Sequence, residues 1–249
     1  MRITYVIPGE MSRSPLGVAE MVRREGMLGK WAFRDTVVQV VDVDNGVHSI
    51  ESAYEELLSA PKTIERIQAL EGEGCDAVII GCFGDPGLEA ARELVSMPVI
   101  GPGEASLLLA AQLGHRIGVL AVFDSLAASH RQQAFRAGVL DKLVSVRGIG
   151  IPVLELMREP EATFGQIVAV GREAVERDGA EALAFGCMSM SFLDIAPRLS
   201  QALGVPVINA AQAALKAAET QVSIGLSHSK KSFPLPPKLR ASADLVRIN

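Results

Sequence analysis

Cysteine is scarce: three residues in a chain of 249. They are too few and too scattered for a disulfide framework, so reduced thiols in a cytoplasmic protein are the expectation. Aromatic side chains make up only 4% of the sequence, while 49% is hydrophobic. The core must therefore be built from Ala, Val, Leu and Gly, which suits close helix–sheet packing. Positive charge is not in excess. The net charge is −5 counting His as neutral, which leaves no footprint for nucleic acid or an anionic membrane surface. No apolar run reaches the roughly 18 residues of a membrane span. The N-terminal "MRITYVIPGE" has too short an apolar part for a signal peptide and reads as a first strand. Metal-ligand spacings such as CxxC and HxxxH are missing, and His48, His115, His130 and His228 are dispersed. "GPGEAS" at 101–106 lacks the GxGxxG spacing of a dinucleotide site. Neither a Walker-type GK[ST] nor a nucleophile elbow is present.

What is there is a steady alternation of strand and helix patterns. Strand-like runs occupy 2–8, 36–46, 76–82 and 97–101. Helical spacing fills 14–29, a long stretch opening near Ser49 and Ser52, 85–96 and 103–114. Asp85 reads as an N-cap with Pro86 at the first helical position. Apolar strands alternating with helices predict an α/β fold with buried parallel sheets.

The pattern then repeats. "GCDAVIIGC" (74–82) aligns without gaps on "GAEALAFGC" (179–187). Each is followed by a helix, then by "PVIG" (98–101) or "PVIN" (206–209), then by an Ala-rich helix. "RITYVIPGE" at 2–10 likewise resembles "RIGVLAVFD" at 116–124. The chain is expected to form two pseudo-symmetric α/β lobes with parallel sheets and an active site in the cleft between them. The first lobe comprises 1–103 and 218–249, the second 104–217.

Ligands of open α/β sheets bind beyond the carboxyl ends of the strands, where Cys82 and Cys187 both fall. If a pseudo-two-fold relates the halves, the two thiols face one another. Two facing thiols suit inversion of a carbon centre, one removing a proton and the other delivering one to the opposite side. An unperturbed thiol has a pKa of about 8.5, and a helix N-terminus after the cysteine favours the thiolate. Backbone N–H groups there can also hold an enolate oxygen. The competing reading is two small apolar core residues inherited together. Cys75, before its strand, reads as structural.

"GCFGDPGLEAARE" with "MPVIGPGEAS" resembles the first signature of hydantoin and allantoin racemases in the aspartate/glutamate racemase superfamily. "DGAEALAFGCMSM" with "LGVPVINAAQAALKAAE" resembles the second. "SIESAYEELLSAPKTIE" and "GLSHSKKSF" are similar to that family as well. The resemblance implies a cofactor-independent two-base racemase, with Cys82 and Cys187 as its catalytic cysteines and no metal. It implies a small-molecule substrate, a five-substituted hydantoin, allantoin or a similar ring, and a homo-oligomer, tetrameric or hexameric. Amino-acid racemases of the superfamily carry Asn-Thr and Thr-His after the two cysteines. Phe83-Gly84 and Met188-Ser189 stand here instead, which favours a neutral ring.

Three loops depart from the family pattern. Ile7-Pro8-Gly9-Glu10 replaces Asn-Pro-Asn-Ser/Thr, so Gly9 lacks the expected amide. "AVFDS" at 121–125 lacks the usual Thr-Thr, and Met188-Ser189-Met190 replaces Ala-Gly-Met. Pro8, Gly9, Phe83, Gly84, Met188 and Ser189 are expected at the substrate. Ser49 either caps a helix or donates to a substrate carbonyl, Ser12 offers a hydroxyl from the first loop, and Asp85 stands beside the site. Phe123 floors the pocket or joins the core, and Glu10 adds charge to the site or is solvated. The rival functions are a maleate-type cis–trans isomerase, in which one cysteine attacks covalently, and a non-catalytic two-lobed binding protein. The basic, Pro-rich "SHSKKSFPLPPKLR" reads as a surface or subunit-packing arm.

Overall fold

The computed structural model describes residues 1–239. The first half runs β1 (Arg2–Ile7), α1 (Gly17–Trp31), β2 (Val37–Asp42), α2 (Ala53–Gly72), β3 (Ala77–Ile80), α3 (Leu88–Leu94), β4 (Val99–Ile100) and α4 (Pro102–Leu113). The second runs β5 (Ile117–Ala121), α5 (Ala127–Arg136), β6 (Leu143–Gly148), α6 (Pro160–Glu176) and β7 (Ala182–Phe185). It closes with α7 (Met188–Ser191), α8 (Ala196–Leu203), β8 (Val207–Ile208) and α9 (Ala210–Ser223).

Two four-stranded parallel sheets result, ordered β2-β1-β3-β4 and β6-β5-β7-β8. The same order in both confirms the repeat as a structural one. Its register holds at the level of single pairs: Ile3 lies opposite Ala77 in the first sheet, and Ile117 lies opposite Ala182 in the second. The strands are buried on both faces, and alternate residues serve different layers. On β3, Ala77 and Ile79 face a central core, while Val78 and Ile80 face an outer one. On β7, Ala182 and Ala184 face the same central core, and Leu183 and Phe185 an outer one of their own.

The Ala-rich helices explain how the halves join. α4 follows the last strand of the first sheet but lies against β7 of the second, whereas α9 lies against β3 and β4 of the first. The two helices also pack on one another. Ala110, Ala211, Ala214 and Ala218 are fully buried there, because small side chains let backbones approach closely.

Several boundaries fall later than the sequence implies. Ser52, not Ser49, caps α2: its Oγ accepts from the Glu55 N–H at 3.3 Å, and the Glu55 carboxylate accepts from the Glu51 N–H at 2.7 Å. The Ser52 hydroxyl donates to the same Glu55 carboxylate at 2.9 Å, a variant of the capping box in which Glu55 reaches one residue further back. Asp85 does not cap the helix beginning at Leu88, whose N-cap is Gly87 with a φ of 76°. The segment after α9 packs on the end of α3, where Lys230 Nζ donates to the Arg92 carbonyl at 2.7 Å and His228 contacts the Val95 carbonyl at 2.8 Å. Only the last residue of the expected arm, Arg240, lies outside the described residues.

Candidate functional site

A glycine precedes each cysteine, and the structure shows why. A Cβ on Gly81 would lie 2.7 Å from the Tyr5 ring and 2.8 Å from the Val6 carbonyl on β1. A Cβ on Gly186 would lie 2.7 Å from Val119 and 3.1 Å from the Leu120 carbonyl on β5. The Gly81 N–H donates to Val6 O at 2.6 Å, and the Gly186 N–H to Leu120 O at 2.8 Å. Each strand end is thus drawn against the central strand of its sheet, and the next residue, the cysteine, is delivered to the carboxyl edge.

Both thiols open into one cavity. Its walls come from the carboxyl ends of β1 (Pro8, Gly9), β3 (Phe83, Gly84), β5 (Val122) and β7 (Met188, Ser189). Ser49 lines it from the segment before α2, together with His48 and Ile50. The cavity therefore brings Cys82, Cys187, Pro8, Gly9, Ser49, Phe83, Gly84, Met188 and Ser189 together.

Three expected residues stand elsewhere. The Ser12 N–H donates to Asp42 Oδ2 at 2.7 Å, which ties the first loop to the end of β2 and keeps Ser12 off the cavity wall. Phe123 packs into the outer core of the second sheet, and its neighbour Val122 faces the cavity instead. Asp85 turns away: its carboxylate accepts from the Gly103 and Glu104 N–H groups at 2.9 and 2.8 Å, at the start of α4. Burial pushes the Asp85 carboxyl up to about 7, against the pull of those donors and of Gln133. Glu10 is neither in the cavity nor solvated; it is buried, with Arg13 3.6 Å away. Gly9 has its own reason, since a Cβ there would lie 2.5 Å from the Val47 carbonyl.

Burial raises both thiols above the ordinary range. For Cys82 the Gly84 N–H opposes burial, while Glu56, Cys187 and Asp85 reinforce it. For Cys187 the N–H groups of Met190 and Ser189 oppose burial, as does Arg24, and Glu51 reinforces it. The Tyr5 phenol is raised by burial, opposed by Arg24 and reinforced by both thiols. His130 is lowered to about 4 by burial, and neither ring nitrogen has a hydrogen-bond partner among the described residues. It meets the Phe83 ring edge-on with centroids 5.1 Å apart.

Residues 19–218 match the family described as Asp/Glu/Hydantoin racemase. The chain belongs to that family. A hydantoin racemase from Pseudomonas sp. (strain NS671) is 40% identical over 208 residues, spanning 83% of each chain. An allantoin racemase from Klebsiella pneumoniae superposes with a TM-score of 0.86 at 30% identity, covering 95% of this chain and 94% of that one. A variant of arylmalonate decarboxylase, 18% identical, shares the fold with a TM-score of 0.66 over 90% of this chain and 93% of its own. The protein is thus a racemase, an isomerase of the Asp/Glu/hydantoin racemase family. No helix among the described residues is long and apolar enough to cross a membrane. No group of three or more His, Cys, Asp or Glu side chains among them is placed to hold a metal ion.

The cavity also contains residues that the sequence did not single out. Arg24 and Glu56 line the cavity from α1 and α2, and His130 from α5. Each sits on an amphipathic helix, where spacing alone does not separate a residue turned to a cavity from one turned to solvent.

Proposed function

We propose that the protein racemises a five-substituted hydantoin, allantoin or a similar neutral ring without a cofactor, with Cys82 and Cys187 as its two proton-transferring groups. One observation carries this reading: equivalent positions of the two halves deliver their thiols into a single cavity. The named relatives support the substrate class, and the lining supports a neutral ring. Ile7, Phe83, Val122 and Met188 offer apolar walls.

One sulfur, as thiolate, takes the proton from the ring carbon that bears the substituent. The electron pair moves into the adjacent ring carbonyl, giving an enolate. The opposite thiol returns a proton to the other face, and the carbon is inverted. The sulfurs have then exchanged roles, and exchange with solvent restores the starting state. N–H groups of Gly84, Ser189 and Met190 stabilise sulfur as thiolate, each on its own side. The enzyme works as a homo-oligomer, tetrameric or hexameric, as the resemblance implies.

Turnover of a hydantoin panel and allantoin in heavy water is the test. Deuterium should enter the stereocentre, and Cys82→Ser or Cys187→Ser should each lower inversion about 10²–10⁴-fold. A covalent substrate adduct on either cysteine, seen by mass spectrometry without deuterium entry, would move the protein to the cis–trans isomerase chemistry.

A further inference from the structure

The two thiols are equivalent in the repeat and opposite in their surroundings. Two residues after Cys187, Ser189 Oγ accepts from Arg24 Nη2 at 2.9 Å. Two residues after Cys82, Gly84 lies against Glu56, whose Oε2 would be 2.8 Å from a Cβ at that glycine. The same position of the duplicated turn is thus faced by a cation in one half and a carboxylate in the other.

The positive side is a built cluster. Arg24 is 2% exposed. Its Nε donates to Glu20 Oε1 at 2.8 Å, and its guanidinium lies 4.7 Å from the Phe192 ring centroid. Glu20 is shared with Arg23, whose Nε lies 2.7 Å from Oε2. Two guanidinium groups on one carboxylate leave the cluster a net positive charge, and Arg24 is the member that reaches the turn after Cys187. On the other side, Glu56 forms the wall between the catalytic cavity and a second, polar cavity that also contains Arg136.

We propose that Arg24 and Glu56 set the order in which the pair ionises, so that Cys187 loses its proton first and Cys82 is held as the thiol. This rests on the two-thiol reading above. The catalytic base then starts on the Arg24 side and the acid on the Glu56 side. Both are positioning residues, acting through sulfur.

Other groups facing the pair do not reverse this order. Burial keeps the Tyr5 phenol on β1 neutral, so it adds no charge to either side. Glu51 opposes ionisation of Cys187, but less than Arg24 favours it, and its carboxylate accepts from the Val153 N–H at 2.9 Å. Asp85 opposes ionisation of Cys82, in the same sense as Glu56. Burial raises the Glu56 carboxyl above its ordinary range, and Arg136 opposes that rise. His48 and His130 also line the cavity, and burial keeps His130 uncharged.

Limiting iodoacetamide on the full-length enzyme, with peptide mass spectrometry of each cysteine, reads the order directly. The thiolate forms the S–C bond and iodide leaves, so rate follows thiolate fraction. Exposure alone favours the opposite outcome, because Cys82 is partly exposed and Cys187 is buried. The expected result is Cys187 first in the wild type. Arg24→Met should shift the Cys187:Cys82 ratio toward Cys82 by roughly tenfold, the effect of one pKa unit, while Arg24→Lys retains the order. Glu56→Gln should speed Cys82 several-fold and leave Cys187 nearly unchanged, and it decides the matter if Arg24→Met fails to fold. Cys82 first, at a ratio unmoved by Glu56→Gln, overturns the proposal. That result would leave racemisation standing, because deuterium entry tests it separately.

Discussion

At the residue scale, a missing side chain places each of the two thiols. Gly81 and Gly186 let each strand end press on its central strand, and any larger residue would meet backbone or a packed ring. The cost of that placement is burial of both thiols, which holds them protonated at neutral pH. In the two-thiol mechanism proposed above, a raised thiol makes the base a minor species there. We therefore expect kcat/KM for racemisation to rise with pH from neutral into the alkaline range, approaching tenfold per unit, in a pH profile with a hydantoin substrate. A profile already flat at pH 7 would show that the thiolate is formed without further deprotonation. The sign for stability is opposite. The unfolded chain releases thiol protons near pH 8.5 while the folded one retains them, so their contribution is complete below that pH and lost above it.

At the scale of elements, the two halves solve one capping problem in two ways. Asn209 caps α9, its side chain accepting from the Ala211 and Gln212 N–H groups at 3.0 and 3.1 Å. The corresponding residue before α4 is Gly101, which has no side chain to offer. Asp85 supplies the acceptor from the loop after Cys82, bonding the equivalent N–H groups of Gly103 and Glu104. The space is already taken: a Cβ on Gly101 would lie 2.6 Å from Asp85 Cγ. Gln133 of α5 donates to the same carboxylate at 2.8 Å, which binds the loop after Cys82 to the second half. Asp85→Ala should cost about 1–3 kcal/mol in urea unfolding, since it leaves the partly buried Gly103 and Glu104 N–H groups without their acceptor and removes one of two acceptors from Gln133. Gly101→Asn alone should destabilise, because its side chain collides with Asp85. Added to Asp85→Ala, the same change should restore about 1 kcal/mol, as its backbone is extended like that of Asn209. No recovery in the double variant would contradict the exchange of caps.

At the scale of the molecule, the lobes share their interior. One core cluster takes Ile3, Tyr5 and Ile79 from the first sheet and Ile117, Val119 and Ala184 from the second. Trp31 of α1 stacks on Phe192 of the second half, with ring centroids 5.9 Å apart. Tyr5 meets the same Phe192 ring edge-on at 5.7 Å. A shared core and crossed helices couple the two halves energetically. We expect one unfolding transition in urea, with Trp31 fluorescence and far-UV circular dichroism coincident. Two separated transitions would show that 1–103 with 218–249, and 104–217, fold as independent lobes. The coupling also serves the site, whose opposing walls come from different halves and must hold their spacing.

Periodicity and repetition in the sequence determined the parallel strands, the crossover helices and the duplicated glycine–cysteine turn, because each is a local pattern that one chain writes twice. Cys82 and Cys187 were legible for that reason, as were the residues directly after them. Arg24, Glu56 and His130 were not, since a helix presents all its residues in sequence and only packing chooses which face a cavity. Asp85, Ser12 and Phe123 sat close to the site in sequence, yet hydrogen bonds to α4, to β2 and packing in an outer core turned them away. Tertiary structure alone decided that α4 and α9 cross to the opposite sheet, that the two thiols share one cavity, and that Arg24 and Glu56 face the turns after them. Those are relations between segments far apart along the chain, and no local pattern encodes them.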